Sequence, residues 1–232
     1  MFPIRDDTPR FSTPYVTYFL IAFNLLIFFF EWSLTPASLD LLIRQFGLIP
    51  SHISAVLSGS GRLTPGEAFL PVLTSMFLHG SWMHVIGNMW FLWIFGDNIE
   101  DYLGHFKYLI FYLLAGIAAA FLQYILSPAS RVPNVGANGA IAGVLGGYFI
   151  LYPRARVLTW FPILFMFYLP AWVMLGYWFV YQFLSGAATA ITASADVNQG
   201  GIAFWAHVGG FVAGMVMIKM FPARPRRNSY AW

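Results

Sequence analysis

Val135-Gly136-Ala137-Asn138-Gly139-Ala140-Ile141-Ala142-Gly143-Val144-Leu145-Gly146-Gly147 is the stretch on which the reading of this chain turns. Its glycines return every three or four residues, so on a helix they align as one strip without side chains. Such a strip admits a second helix to backbone contact, the small-residue packing found inside membranes. Asn138 stands at the mouth of the strip, a lone polar residue entering an apolar helix. A polar group in that setting must find a partner or do chemistry.

The rest of the chain supplies the membrane. Of 232 residues 59% are hydrophobic and only 9% charged, with mean hydropathy +0.69. A soluble domain carries roughly 25% charged residues, so the chain is an integral membrane protein in contact with the lipid bilayer. Cysteine is absent, which excludes disulfides, thiolate metal sites and a cysteine nucleophile. The net charge of +3 comes from scattered basic clusters and gives no footprint for nucleic acid.

Residues 15–34 form the first apolar run, interrupted by Thr17, Asn24, Glu31 and Ser33. It is too long for the apolar core of a signal peptide, at about 7–15 residues. Five further runs follow at 81–96, 108–126, 136–152, 160–184 and 204–221, separated at Gly96-Asp97-Asn98, Ser127-Pro128, Pro153-Arg154 and a polar loop at 187–201. Six spans place both termini on one side, and nine of the 12 Lys and Arg residues fall on that side. The excess predicts cytoplasmic termini, with the 35–78 loop and the start of the 136 helix outside. Short apolar pieces in 35–78 predict an ordered interfacial loop. The expected organisation is an all-α membrane protein of one domain: a cytoplasmic segment over 1–14, six transmembrane helices over 15–221 and a basic tail over 222–232.

Few polar side chains fall inside these runs. His79, His84 and Asn88 belong to the second, with His84 and Asn88 four apart on one face. His207 opens the last run and shares a face with Gly210 and Gly214. Two glycine-lined helices, one headed by Asn138 and one by His207, are natural partners, and their polar heads should meet near the outer surface. The histidines have no carboxylate among them and no metal-ligand spacing, so neither metal nor other cofactor is expected. No Asp, Glu, Lys or Arg lies mid-span to couple an ion, which argues against a transporter or channel. Glu100-Asp101 reads as a pair that ends a helix or fixes a loop. Tyr15, Trp32, Trp82, Trp160, Tyr168 and Trp205 read as interfacial anchors.

His79-x4-His84-x3-Asn88, Gly136-Ala-Asn138-Gly139 and Ala206-His207-x-Gly-Gly210-x3-Gly214, in this order, resemble the motifs of the rhomboid intramembrane serine proteases. The resemblance covers about Tyr15 to Phe221 and includes the Gly96-x3-Glu100 turn. It implies a six-helix rhomboid bundle and a serine endopeptidase that cleaves single-span membrane proteins near the outer surface. It also implies a nucleophile at position 138, His207 as general base, and His84 and Asn88 as oxyanion donors. His79, Gly136, Gly139, Gly210 and Gly214 are implied as support.

The decisive position departs from the family. Asn138 stands where the resemblance requires serine, and a delocalised carboxamide has no readily removed proton for His207 to take. Ser75, Ser81, Ser127 and Ser130 are poorly placed to replace it. Asn138 can instead accept a hydrogen bond from His207 and cap its helix. The first reading is therefore a rhomboid scaffold that binds membrane-protein segments without cutting them. The alternative is a rhomboid protease of an active lineage carrying an inactivating Ser-to-Asn change at 138. Two smaller departures are Ala142, where some relatives have an aromatic stacked on the histidine, and Leu70-Pro71, where some have Trp-Arg. The compact form without a targeting extension suggests a bacterial inner membrane.

Overall fold

The computed structural model describes residues 2–60, 62–161, 165–192 and 204–224, and side chains within these except at 189–192. Strand β1 (Phe2–Asp6) is followed by α1 (Tyr15–Ser33), then by α2 (Pro36–Phe46), α3 (Pro50–Leu57), α4 (Pro65–Phe69), α5 (Pro71–Thr74) and a 3-10 turn. Next come α6 (Trp82–Leu103), α7 (His105–Leu126), α8 (Asn138–Leu151), β2 (Arg156–Trp160), β3 (Met166–Pro170), α9 (Ala171–Thr192) and α10 (Phe204–Met220). The prolines of the 35–78 segment are not breaks: Pro36, Pro50, Pro65 and Pro71 each stand in the first turn of a short helix, where the missing N–H costs nothing.

α1 shows how the bundle meets lipid. It turns Thr17, Leu20, Asn24, Phe28 and Glu31 inward and exposes Phe19, Phe23, Leu26 and Phe30. A water-soluble helix would do the reverse; here the polar residues hide from hydrocarbon. By length and composition α1 and α7 can each cross a membrane, and a bent pair, 65–77 with Trp82–Leu103, makes a third if taken as one span. α8 and α10 are shorter apolar helices.

α8 runs through the middle, buried at every residue from Asn138 to Tyr148. Its glycines explain how. A Cβ at Gly210 or Gly214 of α10 would lie 2.0 Å from the carbonyl oxygen of Gly139 or Gly143, and one at Gly146 would lie 2.0 Å from that of Phe211. On the other side, Gly139 and Gly143 take the methyls of Ala119 and Ala115 from α7, which a Cβ would meet at 2.2 and 2.3 Å. With lipid as apolar as the core, this close fit is what favours association.

Four expectations are corrected. The second run does not stop at Gly96, because α6 continues to Leu103 and ends at Gly104, whose φ of +79° suits glycine. Gly96 is a contact point, with Tyr108, Leu92 and Thr17 all within 3.1 Å of where its Cβ would be. The polar residues beyond it have partners. Glu100 accepts from the N–H groups of Val16 and Thr17 at 2.9 and 2.7 Å and from the Thr17 hydroxyl at 2.7 Å, so it caps the start of α1. Asp101 accepts from Ser12 and from the Phe11 N–H.

The 160–184 run is likewise not one helix, and the chain is mostly rather than wholly helical. Its first part is a hairpin, with Arg156 opposite Pro170 and Trp160 opposite Met166, and α9 begins only after Pro170. β1 adds to the other edge of β2, from Phe2 opposite Trp160 to Asp6 opposite Val157. The polar segment 1–14 thus contributes a strand. α9 also runs to Thr192, into the loop expected at 187–201. The remainder of that loop, 193–201, and residues 225–232 of the basic tail lie outside the described residues.

Candidate functional site

Four helices converge on a cavity of about 580 Å³. His84 and Asn88 come from α6, Asn138 from α8, Trp178 and Gln182 from α9, and His207 from α10. The sequence motifs are therefore brought together, and α9 adds two side chains that no motif announced.

Gly136 sets the local geometry. Its φ of +116° is closed to ordinary side chains, and a Cβ there would lie 2.6 Å from the His84 ring. Its N–H donates to the Ser75 carbonyl at 2.9 Å, which ties the turn before α8 to the segment before α6. His84 fits into the space left, and its Nε2–H donates to Asn138 Oδ1 at 2.8 Å. This bond fixes the proton on Nε2, because an amide oxygen only accepts.

The expected contact of Asn138 with His207 is therefore corrected. Among the described residues no hydrogen bond joins the two, and the amide oxygen accepts from His84 instead. Nor does Asn138 cap α8: Ala137 is the N-cap, no side chain bonds the free N–H groups, and Asn138 Nδ2 has only a 3.5 Å contact with the Val135 carbonyl. An asparagine one position inside the helix has the wrong reach for the N-cap bond.

His79 stands behind His84, ring centroids 5.2 Å apart and edge to face. It is only 2% exposed, and its Nε2 accepts from Asn88 Nδ2 at 3.0 Å. Its own N–H donates to both oxygens of Glu31 at 3.2 and 3.1 Å. Asn88 thus reaches the cavity wall with its amide nitrogen already engaged by His79. Glu31, an interruption in the first apolar run by sequence, anchors the backbone at the entrance to α6.

His207 lies against α9. The Trp178 ring meets it at 5.5 Å and 86°, edge to face, and its Nδ1 has no hydrogen-bond partner among the described residues. Ala142 is too small to stack on it, and the aromatic ring against it is that of Trp178 from α9. A signal for Trp178 and Gln182 existed in their spacing of four, which shares one helical face, but α9 carries so many aromatics that the pair does not stand out. Ser81 also lines the cavity, but its hydroxyl is the N-cap of α6, accepting from the His84 N–H at 3.2 Å. Among the described residues no three His, Cys, Asp or Glu side chains are grouped to hold a metal ion.

Chemically the cavity offers an imidazole with no hydrogen-bonded partner among the described residues, a ring N–H engaged by an amide, and carboxamides on three walls, from α6, α8 and α9. These can bind and orient a peptide group. At position 138 they do not supply a hydroxyl for His207 to activate.

Residues 66–224 match the family model described as Rhomboid domain, well over half of the chain. Among curated proteins the chain is 32% identical over 150 residues to the presenilin-associated rhomboid-like protein, mitochondrial, of Homo sapiens, covering 64% of this chain and 36% of that one. It is 30% identical over 153 residues to rhomboid protein 1, mitochondrial, of Saccharomyces cerevisiae, covering 63% and 40%. With rhomboid-like protein 11, chloroplastic, of Arabidopsis thaliana it shares 28% over 163 residues, covering 68% and 54%. The chain spans about a quarter to a half of the length of such relatives. The bacterial inner membrane expected from sequence draws no support from these relatives, whose names are mitochondrial and chloroplastic. A bundle of apolar helices, a glycine-packed α8 and the family match together make this chain a membrane protein of the rhomboid family of intramembrane proteases.

Proposed function

We propose that this chain binds single-span membrane-protein segments at the cavity between α6, α8, α9 and α10 and does not cut them. The observation that carries the reading is the 2.8 Å bond from His84 to Asn138. The nucleophile position holds a carboxamide, and that carboxamide occupies the ring N–H that would otherwise face a developing oxyanion. His207 keeps the place of the general base without a hydroxyl to deprotonate. His84 and Asn88 keep the places of oxyanion donors, and His79, Gly136, Gly139, Gly210 and Gly214 shape the site around them. The bundle crosses the membrane six times, with both termini in the cytoplasm and the cavity toward the outer face.

The alternative, a protease of an active lineage silenced by one change at 138, draws on a specific observation: the cavity, the His79–Asn88 bond and the Trp178–His207 contact are all intact. One paired experiment separates these readings. The protein and its Asn138→Ser variant are each incubated with a model single-span substrate and a fluorophosphonate probe. Labelling and cleavage by the variant alone would mean that Asn138 by itself silences an assembled site. Segment binding by both with cleavage by neither would identify a scaffold committed to binding. Cleavage by the chain with Asn138 in place would overturn the proposal.

A further inference from the structure

The α9 wall of the cavity holds a polar group that the family motifs do not use. Gln182 is 9% exposed, lines the cavity, and buries its Oε1 with no hydrogen-bond partner among the described residues. Buried amide oxygens are rarely left unpaired because desolvation without a hydrogen bond is costly, so this one calls for a partner. One turn earlier on the same face stands Trp178, packed edge-on to His207. The apolar part of the lining includes Phe91, Ile141 and Leu145 on the facing helices.

From this geometry we infer that Gln182 is a recognition residue, its carboxamide pairing with a backbone peptide group of an unwound segment held in the cavity. A primary amide presents a donor and an acceptor side by side, matching the N–H and C=O of an extended chain. A half-turn of the terminal amide exchanges the two, so either can face the occupant. A helical segment offers neither group, because its own turns consume them. Gln182 therefore selects segments that unwind at the level of Asn138 and His207, and Trp178 holds an apolar side chain beside the paired group. The inference rests on the reading of the cavity as a binding site for membrane-protein segments.

The test uses the full chain in nanodiscs and a fluorescent synthetic single-span peptide with a glycine-rich outer portion. In a series of such peptides, each successive amide of that portion is replaced by an ester, which removes one N–H and weakens one carbonyl acceptor. The expected result is a loss of about tenfold in affinity at one ester position, the scale of one hydrogen bond. Gln182→Met, close in shape and without the amide, should bind the all-amide peptide about tenfold more weakly and show no further loss at that position. An ester series with uniform affinity overturns the inference while leaving segment binding intact, and means that water alone serves Gln182. The same ester penalty persisting in Gln182→Met overturns it too, by assigning the contact to another residue. If the unmodified chain binds no peptide at all, the reading of the cavity falls and the inference with it.

Discussion

At position 138 one side chain decides the chemistry. In the proposed reading serine would present a short hydroxyl to the imidazole of His207; asparagine is longer and bonds to His84 at 2.8 Å. The Asn138→Ser variant removes that bond and frees the His84 N–H, so its site needs His207 held firmly to be productive. Trp178 is the side chain that packs against that ring. In the Asn138→Ser background, Trp178→Ala should lower the rate of fluorophosphonate labelling by about tenfold to a hundredfold, part of the roughly 10²–10⁴-fold that general-base catalysis contributes. Trp178→Phe should retain most of the rate, and substrate affinity should change less than labelling. Equal labelling by the alanine variant would show that His207 is positioned without Trp178.

Among the elements, α7, α8 and α10 depend on the absence of side chains. Gly210→Ala would drive a methyl to 2.0 Å from the Gly139 carbonyl oxygen, which is backbone and cannot swing away. The helices must separate, and overpacking of this kind costs about 1–3 kcal/mol or more. Gly87→Ala, in α6 with nothing within 4 Å of the new methyl, should be neutral or gain up to about 1 kcal/mol from helix propensity. Thermal unfolding of both variants in one detergent checks the contrast. Equal melting temperatures would refute tight packing at the strip. The same elements explain why Gly96 misleads: glycine at a helix contact and glycine at a helix end look alike in sequence.

For the whole molecule the proposed orientation can be checked directly, because the chain contains no cysteine. A single cysteine at exposed Ser38 should react with an impermeant maleimide in intact cells, and one at exposed Arg154 only after permeabilisation. The reverse pattern would invert the topology. The small sheet carries a pH dependence of its own. Burial pushes the Asp6 carboxyl above its ordinary 3.8, against the opposing hydrogen bonds of Tyr148 and Thr8. A raised value means the docked strand favours the protonated acid, so this contribution is full below pH 3.8 and is lost as pH rises through the raised value. Asp7 runs the other way. Burial pushes its carboxyl up, but the hydrogen bonds and charge of Arg156 outweigh this and hold it below 3.8, so its share is lost only in stronger acid. Amide exchange in β1, corrected for intrinsic rates, should therefore slow as pH falls from neutral toward 4. Asp6→Asn should flatten that trend; an unchanged slope in the variant would rule out Asp6 as its source.

The sequence by itself determined the membrane, the glycine-to-glycine pairing of α8 with α10 and which motif side chains share the cavity, though not Trp178 or Gln182. Each is a matter of composition or of spacing along one helix, which local geometry converts directly into a face. Only the tertiary structure decided who bonds to whom. His84 rather than His207 takes Asn138, Asn88 turns to His79, Glu31 holds the backbone before α6, and Trp178 packs edge-on to His207. It alone also decided that Gly96 lies inside α6 and that residues 2–6 pair with a hairpin before α9. These outcomes depend on distances between residues far apart in the chain, and a single sequence carries periodicity but not those distances.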